Sequence, residues 1–211
     1  MKLLSATALL TLGVAAGGLA PSLFATTPAP AQADQQDMAD MMERMAAFTQ
    51  PGEEHAYLER MLGEWDVELS LIMGGQKLPP SKGTAKTEWL FDGRWLQTTM
   101  KGSMMGRPIE SVNLLGYDKF KMSYVTTSVS TMDTAMNEAE GDLDTRQNDD
   151  PWDDALILWG TLDEYLTGEH DKMVKTVIRF TGPDERVMEI HDMPIGETGT
   201  QVIEMRFKRQ Q

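Results

Sequence analysis

From Glu64 onward, apolar and polar residues alternate. In Trp65-Asp66-Val67-Glu68-Leu69-Ser70-Leu71 no position breaks the period of two. That predicts a half-buried strand with Trp65, Val67, Leu69 and Leu71 facing inward. Gly74-Gly75 and Pro79-Pro80 close it. Residues 83–91 predict a second strand, and Asp92-Gly93 predicts a hairpin into a third over 94–101. Seven more short strands are expected over 109–117, 121–129, 134–143, 155–163, 173–181, 186–192 and 200–208. No helix-length crossover separates them, so neighbours should run antiparallel. The expected fold is all-β: a roughly ten-stranded antiparallel up-and-down barrel over residues 63–211, which removes its own edges. A two-sheet sandwich is the other arrangement this pattern permits.

Before Glu64 the period is helical. Met38, Met41, Met42, Met45 and Phe48 recur at helical spacing, and after Pro51-Gly52 so do Tyr57, Leu58, Met61 and Leu62. Two short amphipathic helices in a lead-in over 34–62 are expected to pack on or near the barrel. Thioethers spaced this way could hold Cu(I) or dock a partner. An apolar helix face built from an adaptable residue accounts for the same spacing and is the plainer reading.

The N-terminus reads as a targeting segment. Lys2 precedes an apolar run from Leu3 to Leu23, and Ala31-Gln32-Ala33 stands just before Asp34. Basic start, apolar middle and small-residue site describe a secretory signal peptide over 1–33. The rival is a membrane anchor, since the run is nearly long enough to span a bilayer, but Gly17, Gly18 and Pro21 interrupt it. The expected location is the periplasm or the extracellular space, with no membrane insertion once the segment is cleaved. With no cysteine, the chain is neither a thiol-anchored lipoprotein nor a disulfide scaffold. Its net charge of −14 opposes binding to nucleic acid and anionic lipid. Cleavage removes one lysine and no acid, so the mature chain is more acidic still.

The pleat places closure residues. On the last strand Ile203, Met205, Phe207 and Arg209 share one face, while Glu204, Arg206 and Lys208 share the other. Closing a barrel pairs its first and last strands, bringing Arg209 near Gly63-Glu64-Trp65. The guanidinium can then stack over the Trp65 indole as a plug, or fray into solvent near the C-terminus.

Gly63-Glu64-Trp65 resembles the G-x-W opening of the lipocalin and fatty-acid-binding superfamily, in which a Trp at the closed end of the barrel commonly meets a late basic residue. More of the chain resembles a bacterial family known only as domain of unknown function 1579, usually placed within that superfamily. The residues that carry the likeness are Gly52-Glu53-Glu54-His55-Ala56-Tyr57-Leu58, Gly63-Glu64-Trp65, Gly83-Thr84-Ala85 with Trp89, Met105-Gly106-Arg107-Pro108, Leu115-Gly116-Tyr117-Asp118 and Phe207-Lys208-Arg209. They span residues 52–209. The resemblance implies a lipocalin-like barrel with short N-terminal helices, closed by Gly63, Trp65 and Arg209, and lends no activity. Where the family tends to have a Trp and an Asp late in the fifth strand, this chain has Ser128 and Ser130.

Most catalytic chemistries lack their residues. There is no G-x-S-x-G elbow, phosphate loop, H-E-x-x-H or cysteine nucleophile, and no catalytic residue is assigned. His55 falls in the lead-in, where an orienting hydrogen bond at the barrel mouth is expected. His170 should be solvated in the turn Gly168-Glu169-His170-Asp171, and His191 should face outward, so no inward histidine offers itself to haem. The acidic run from Glu138 to Asp154 lacks the spacing of a calcium loop and is expected to be solvated. No metal or cofactor is expected.

What remains is an interior. A barrel of eight to ten strands is about the size at which side chains stop filling the inside and one small ligand can enter. The candidate lining is Trp89, Leu96, Met100, Tyr124 and Thr126, although each taken singly could be plain core. The expected function is non-catalytic binding of a small apolar molecule. A cavity-based enzyme such as an isomerase, and a Met-rich interaction or copper-binding module, are the alternatives.

Overall fold

β1 (Gly63–Met73) carries out the alternation written in its sequence: Trp65, Val67 and Leu69 are buried while Glu64, Asp66 and Glu68 are exposed. The computed structural model describes residues 32–145, 154–164, 168–193 and 199–211. After β1 come β2 (Gln76–Lys77), β3 (Ser81–Leu90), β4 (Trp95–Met104), β5 (Arg107–Asp118) and β6 (Ser123–Ser130). β7 (Asn137–Asp144), β8 (Ala155–Glu164), β9 (Glu169–Gly182), β10 (Glu185–Asp192) and β11 (Thr200–Arg209) follow. Each expected strand is present within a few residues of its predicted bounds.

All pairings are antiparallel, and the order β1-β3-β4-β5-β6-β7-β8-β9-β10-β11 returns to β1. Ten strands therefore close a barrel, with β2 a two-residue spur on the end of β1. At the seam Trp65 pairs with Arg209, Val67 with Phe207, Leu69 with Met205 and Leu71 with Ile203. Inward positions thus meet inward positions, as the period of two requires.

Two tight turns lie where left-handed residues suit strand twist: Gly74-Gly75 (φ 56° and 76°) between β1 and β2, and Met105-Gly106 (φ 52° and 77°) between β4 and β5. Asp92-Gly93 does join β3 to β4, but not as a two-residue turn. Leu90 and Trp95 form the last pair, so the loop has four residues, Phe91 to Arg94.

The acidic run divides. Glu138, Glu140, Asp142 and Asp144 are the exposed positions of β7, not a loop, because Ala139 and Leu143 between them pack against the core. Residues 146–153 of that run, like residues 1–31 of the expected signal peptide, lie outside the described residues. His170 is exposed as expected but belongs to β9, which extends its hairpin with β8 to the Glu164–Glu169 pair. His191 is half-buried on the outward face, 3.3 Å from Glu189.

Two helices precede the barrel: α1 (Gln32–Thr49) and α2 (Glu53–Glu59). The chain divides into two compact units, 1–42 and 43–211. In the first, Met38, Met41 and Met42 are exposed. In the second, Met45 and Phe48 are exposed too. Phe48 stacks on Phe120 at 4.3 Å, and the last carbonyls of α1 accept hydrogen bonds from Lys119 and Arg94. α2 does pack on the barrel, burying His55, Tyr57 and Leu58. Among the described residues no helix is long and apolar enough to cross a membrane.

Candidate functional site

α2 and the turn after it plug one end of the barrel. Leu58 and Met61 are buried completely, or almost so, beneath it. Two tyrosine hydroxyls tie the plug down, Tyr57 Oη donating to the Ile178 carbonyl at 3.3 Å and Tyr124 Oη to the Glu54 carbonyl at 2.8 Å. Burial pushes both phenols well above their ordinary range, with Tyr57 at about 12, so they serve as donors. Trp65 lies under the same plug and donates its Nε1 hydrogen to the Met61 carbonyl at 3.0 Å.

Arg209 takes up the closure position. Its guanidinium carbon sits 4.2 Å from the Trp65 ring centre, and it donates to the Leu62 and Arg60 carbonyls and to Asp184. These contacts hold the cation against the ring and answer the carbonyls left open beyond α2. Gly63 is required there: its φ is 114°, and a Cβ would lie 2.6 Å from Arg209.

Above this floor is a cavity of about 410 Å³. Its lower wall includes Met61, Leu96, Leu158, Ile178 and Phe207, and its rim includes Met104, Met132, Asp133 and Leu162, which are half- or fully exposed. One side is polar, because the rung Thr98–Asn113–Ser128 crosses β4, β5 and β6. Asn113 Nδ2 donates to Thr126 Oγ1 at 2.7 Å, Thr126 donates to the Leu114 carbonyl, and Thr98 shares a hydrogen bond with Thr87. Much of that wall is thus satisfied without a ligand. Ser128 and Ser130 line the cavity, and their short side chains leave space there.

The expected lining residues divide. Leu96, Met100 and Thr126 face the cavity. Trp89 and Tyr124 have the right parity but lie nearer the plugged end. Trp89 packs half-buried against the core, and Tyr124 stacks edge-on against Tyr117 and Tyr57. His55 is at that end as well, not at the mouth. It is buried beside Tyr117, and its Nδ1 accepts the Gly52 N–H at 3.0 Å.

That bond requires a neutral imidazole. Burial and the nearby Lys119 hold its pKa below the ordinary value of 6.5. A histidine depressed in the folded state contributes stability above its unfolded pKa that is lost as pH falls toward the folded one. Losing this N-terminal contact should cost about 1 kcal/mol. Between roughly pH 7 and 5, urea melts should show the wild type losing that much more than His55→Gln, which keeps an acceptor and does not titrate. Parallel curves would remove His55 from the account.

Arg186 is the residue that sequence reasoning passed over. It lines the cavity at its floor, is 5% exposed, and lies 4.4 Å from the Phe207 ring centre and 4.8 Å from that of Trp65. Desolvation presses its pKa down to about 9, opposed by Tyr57 and helped by Arg209. The signal was available: Arg186 is in phase with Met188 and Ile190, so inward parity for those two implied it for the arginine. Among the described residues no group of acidic, histidine or cysteine side chains could hold a metal ion.

A family model described as protein of unknown function, DUF1579, matches residues 50–209. No curated protein matches. Among solved structures, the crystal structure of Rv2717c from M. tuberculosis aligns with a TM-score of 0.56 at 12% identity, covering 77% of this chain and all of that one. A redesigned beta barrel aligns with a TM-score of 0.36 at 13% identity over 72% of this chain and 94% of its own. At these identities the likeness to Rv2717c concerns the fold alone.

Proposed function

Since the chain belongs to the DUF1579 family, whose description names no activity, we propose from the cavity itself that this is an exported, non-catalytic binding protein for a small apolar molecule. The observation that carries the reading is an interior space of about 410 Å³, walled mainly by Leu, Ile and Met side chains and reached past a half-exposed rim. Small-molecule sites run from about 300 to 1,000 Å³ and combine apolar walls with a few placed polar groups. Export rests on the order Lys2, apolar run, Ala31-Gln32-Ala33. The cavity's ionisable residues are Arg186 at the floor and Asp133 and Glu138, which are exposed. An arginine has no lone pair to offer and keeps its proton, so it anchors better than it exchanges protons.

A ligand that binds only the folded chain raises its stability by mass action, about 2.7 kcal/mol at a hundredfold excess over Kd. For a domain of this size that is roughly 5 to 10 °C in melting temperature. A panel of lipids and isoprenoids should contain compounds that reach it. Ser128→Trp, which fills the polar wall, should abolish the shift, whereas Trp89→Phe should leave it. A panel without effect, or a shift untouched by Ser128→Trp, would count against the cavity as the site.

A further inference from the structure

Three buried side-chain atoms among the described residues have no hydrogen-bond partner: Thr127 Oγ1, Gln201 Nε2 and Arg186 Nε. Of the three residues, Arg186 alone lines the cavity. The rest of the floor deepens the anomaly. Arg209 and Arg186 approach the same Trp65 ring, at 4.2 and 4.8 Å. Arg209 is answered by Asp184 at 2.9 Å; no carboxylate among the described residues pairs with Arg186. Among the described residues the second guanidinium is held by ring faces alone, in a chain whose net charge is −14. A cation taken out of water without a partner costs far more than ring faces return, and an anion supplied from outside would offset that cost.

We propose that Arg186 receives the carboxylate of an amphipathic monoanion that enters the cavity head first. This rests on the binding reading above and adds the chemical class of the ligand. The guanidinium fork suits a planar carboxylate, which can take two parallel N–H bonds. Leu96, Leu158, Ile178, Met188 and Met205 line the space for the chain behind the head. A neutral lipid would leave the cation unanswered, and an alkylammonium would meet it with like charge.

The test compares dodecanoate, dodecanol and dodecyltrimethylammonium on the whole, delipidated chain by calorimetric titration. Dodecanoate should bind at least about tenfold tighter than dodecanol, as a hydrogen bond to a charged group provides, and the ammonium should not bind. Arg186→Met should erase the preference while dodecanol binding persists. Should that variant fail to fold, [1-¹³C]dodecanoate bound to the wild type gives the same answer. Its carboxyl resonance should titrate below the range of the free acid, a shift that an arginine serving only as a plug would not produce. Equal binding of dodecanoate and dodecanol, or an unshifted resonance, overturns the carboxylate proposal and leaves the cavity reading standing. If no alkyl probe binds, both fall together.

Discussion

Trp65→Ala should cost about 3 to 5 kcal/mol, the range for truncating a buried aromatic, out of a total of roughly 5 to 15 kcal/mol for a domain. The ring has no solvent exposure, and its replacement would open a void between plug and cavity floor. Four further losses push toward the upper end. The Met61 carbonyl forfeits its donor, and Arg209 and Arg186 both lose the ring they rest on. Phe207, which meets the indole edge-on at 6.5 Å, loses its neighbour across the seam. Trp65→Phe retains a π face and most of the volume and should cost about half as much, chiefly the Nε1 bond and the unfilled space. Urea-induced unfolding followed by circular dichroism measures both. A loss under about 1 kcal/mol for the alanine variant would mean that plug and floor do not form one cooperative unit.

Gly141→Ala should be the next most damaging change, at about 3 kcal/mol, the upper end for forcing atoms into a packed site. Gly141 stands at an inward position of β7, paired with Tyr124 on one side and Leu158 on the other. A Cβ there would lie 1.9 Å from the Ile157 carbonyl oxygen and 3.0 Å from the Leu158 Cα. Both are backbone atoms, so relief means parting β7 from β8. Gly182→Ala is the control, because nothing lies within 4 Å of the added carbon. That change should stay within about 0.5 kcal/mol of wild type, as unobstructed surface substitutions do. Equal melting temperatures for the two variants would refute the steric reading.

How much could be read beforehand differs from element to element. Alternation in 65–71 and 203–209 was enough to give the inward stripes, and barrel closure then implied the pairing of Trp65 with Arg209. Both rest on chain-local periodicity plus one topological rule. Trp89 and Tyr124 had the correct face but the wrong depth, because parity assigns a side of the sheet and says nothing of height along the barrel axis. Height depends on stagger between strands and on which end α2 plugs. His55 was misplaced for the same reason. Arg186 is legible by phase with Met188 and Ile190, but a charged residue in a strand ordinarily faces water, and phase alone does not say which rule prevails.

By itself, then, the sequence determined the strand number, the inward and outward faces, the first-to-last pairing, the acidic surface and the family likeness, since each follows from local pattern or from matched residues. Only the tertiary structure decided that α2 plugs the closed end, that the interior holds space rather than packed side chains, and that Arg186 stands at its floor without a carboxylate partner among the described residues. Those are properties of positions distant in the chain and brought together by ring closure. Whether a buried cation is paired depends on neighbours contributed by other strands, which no single segment specifies.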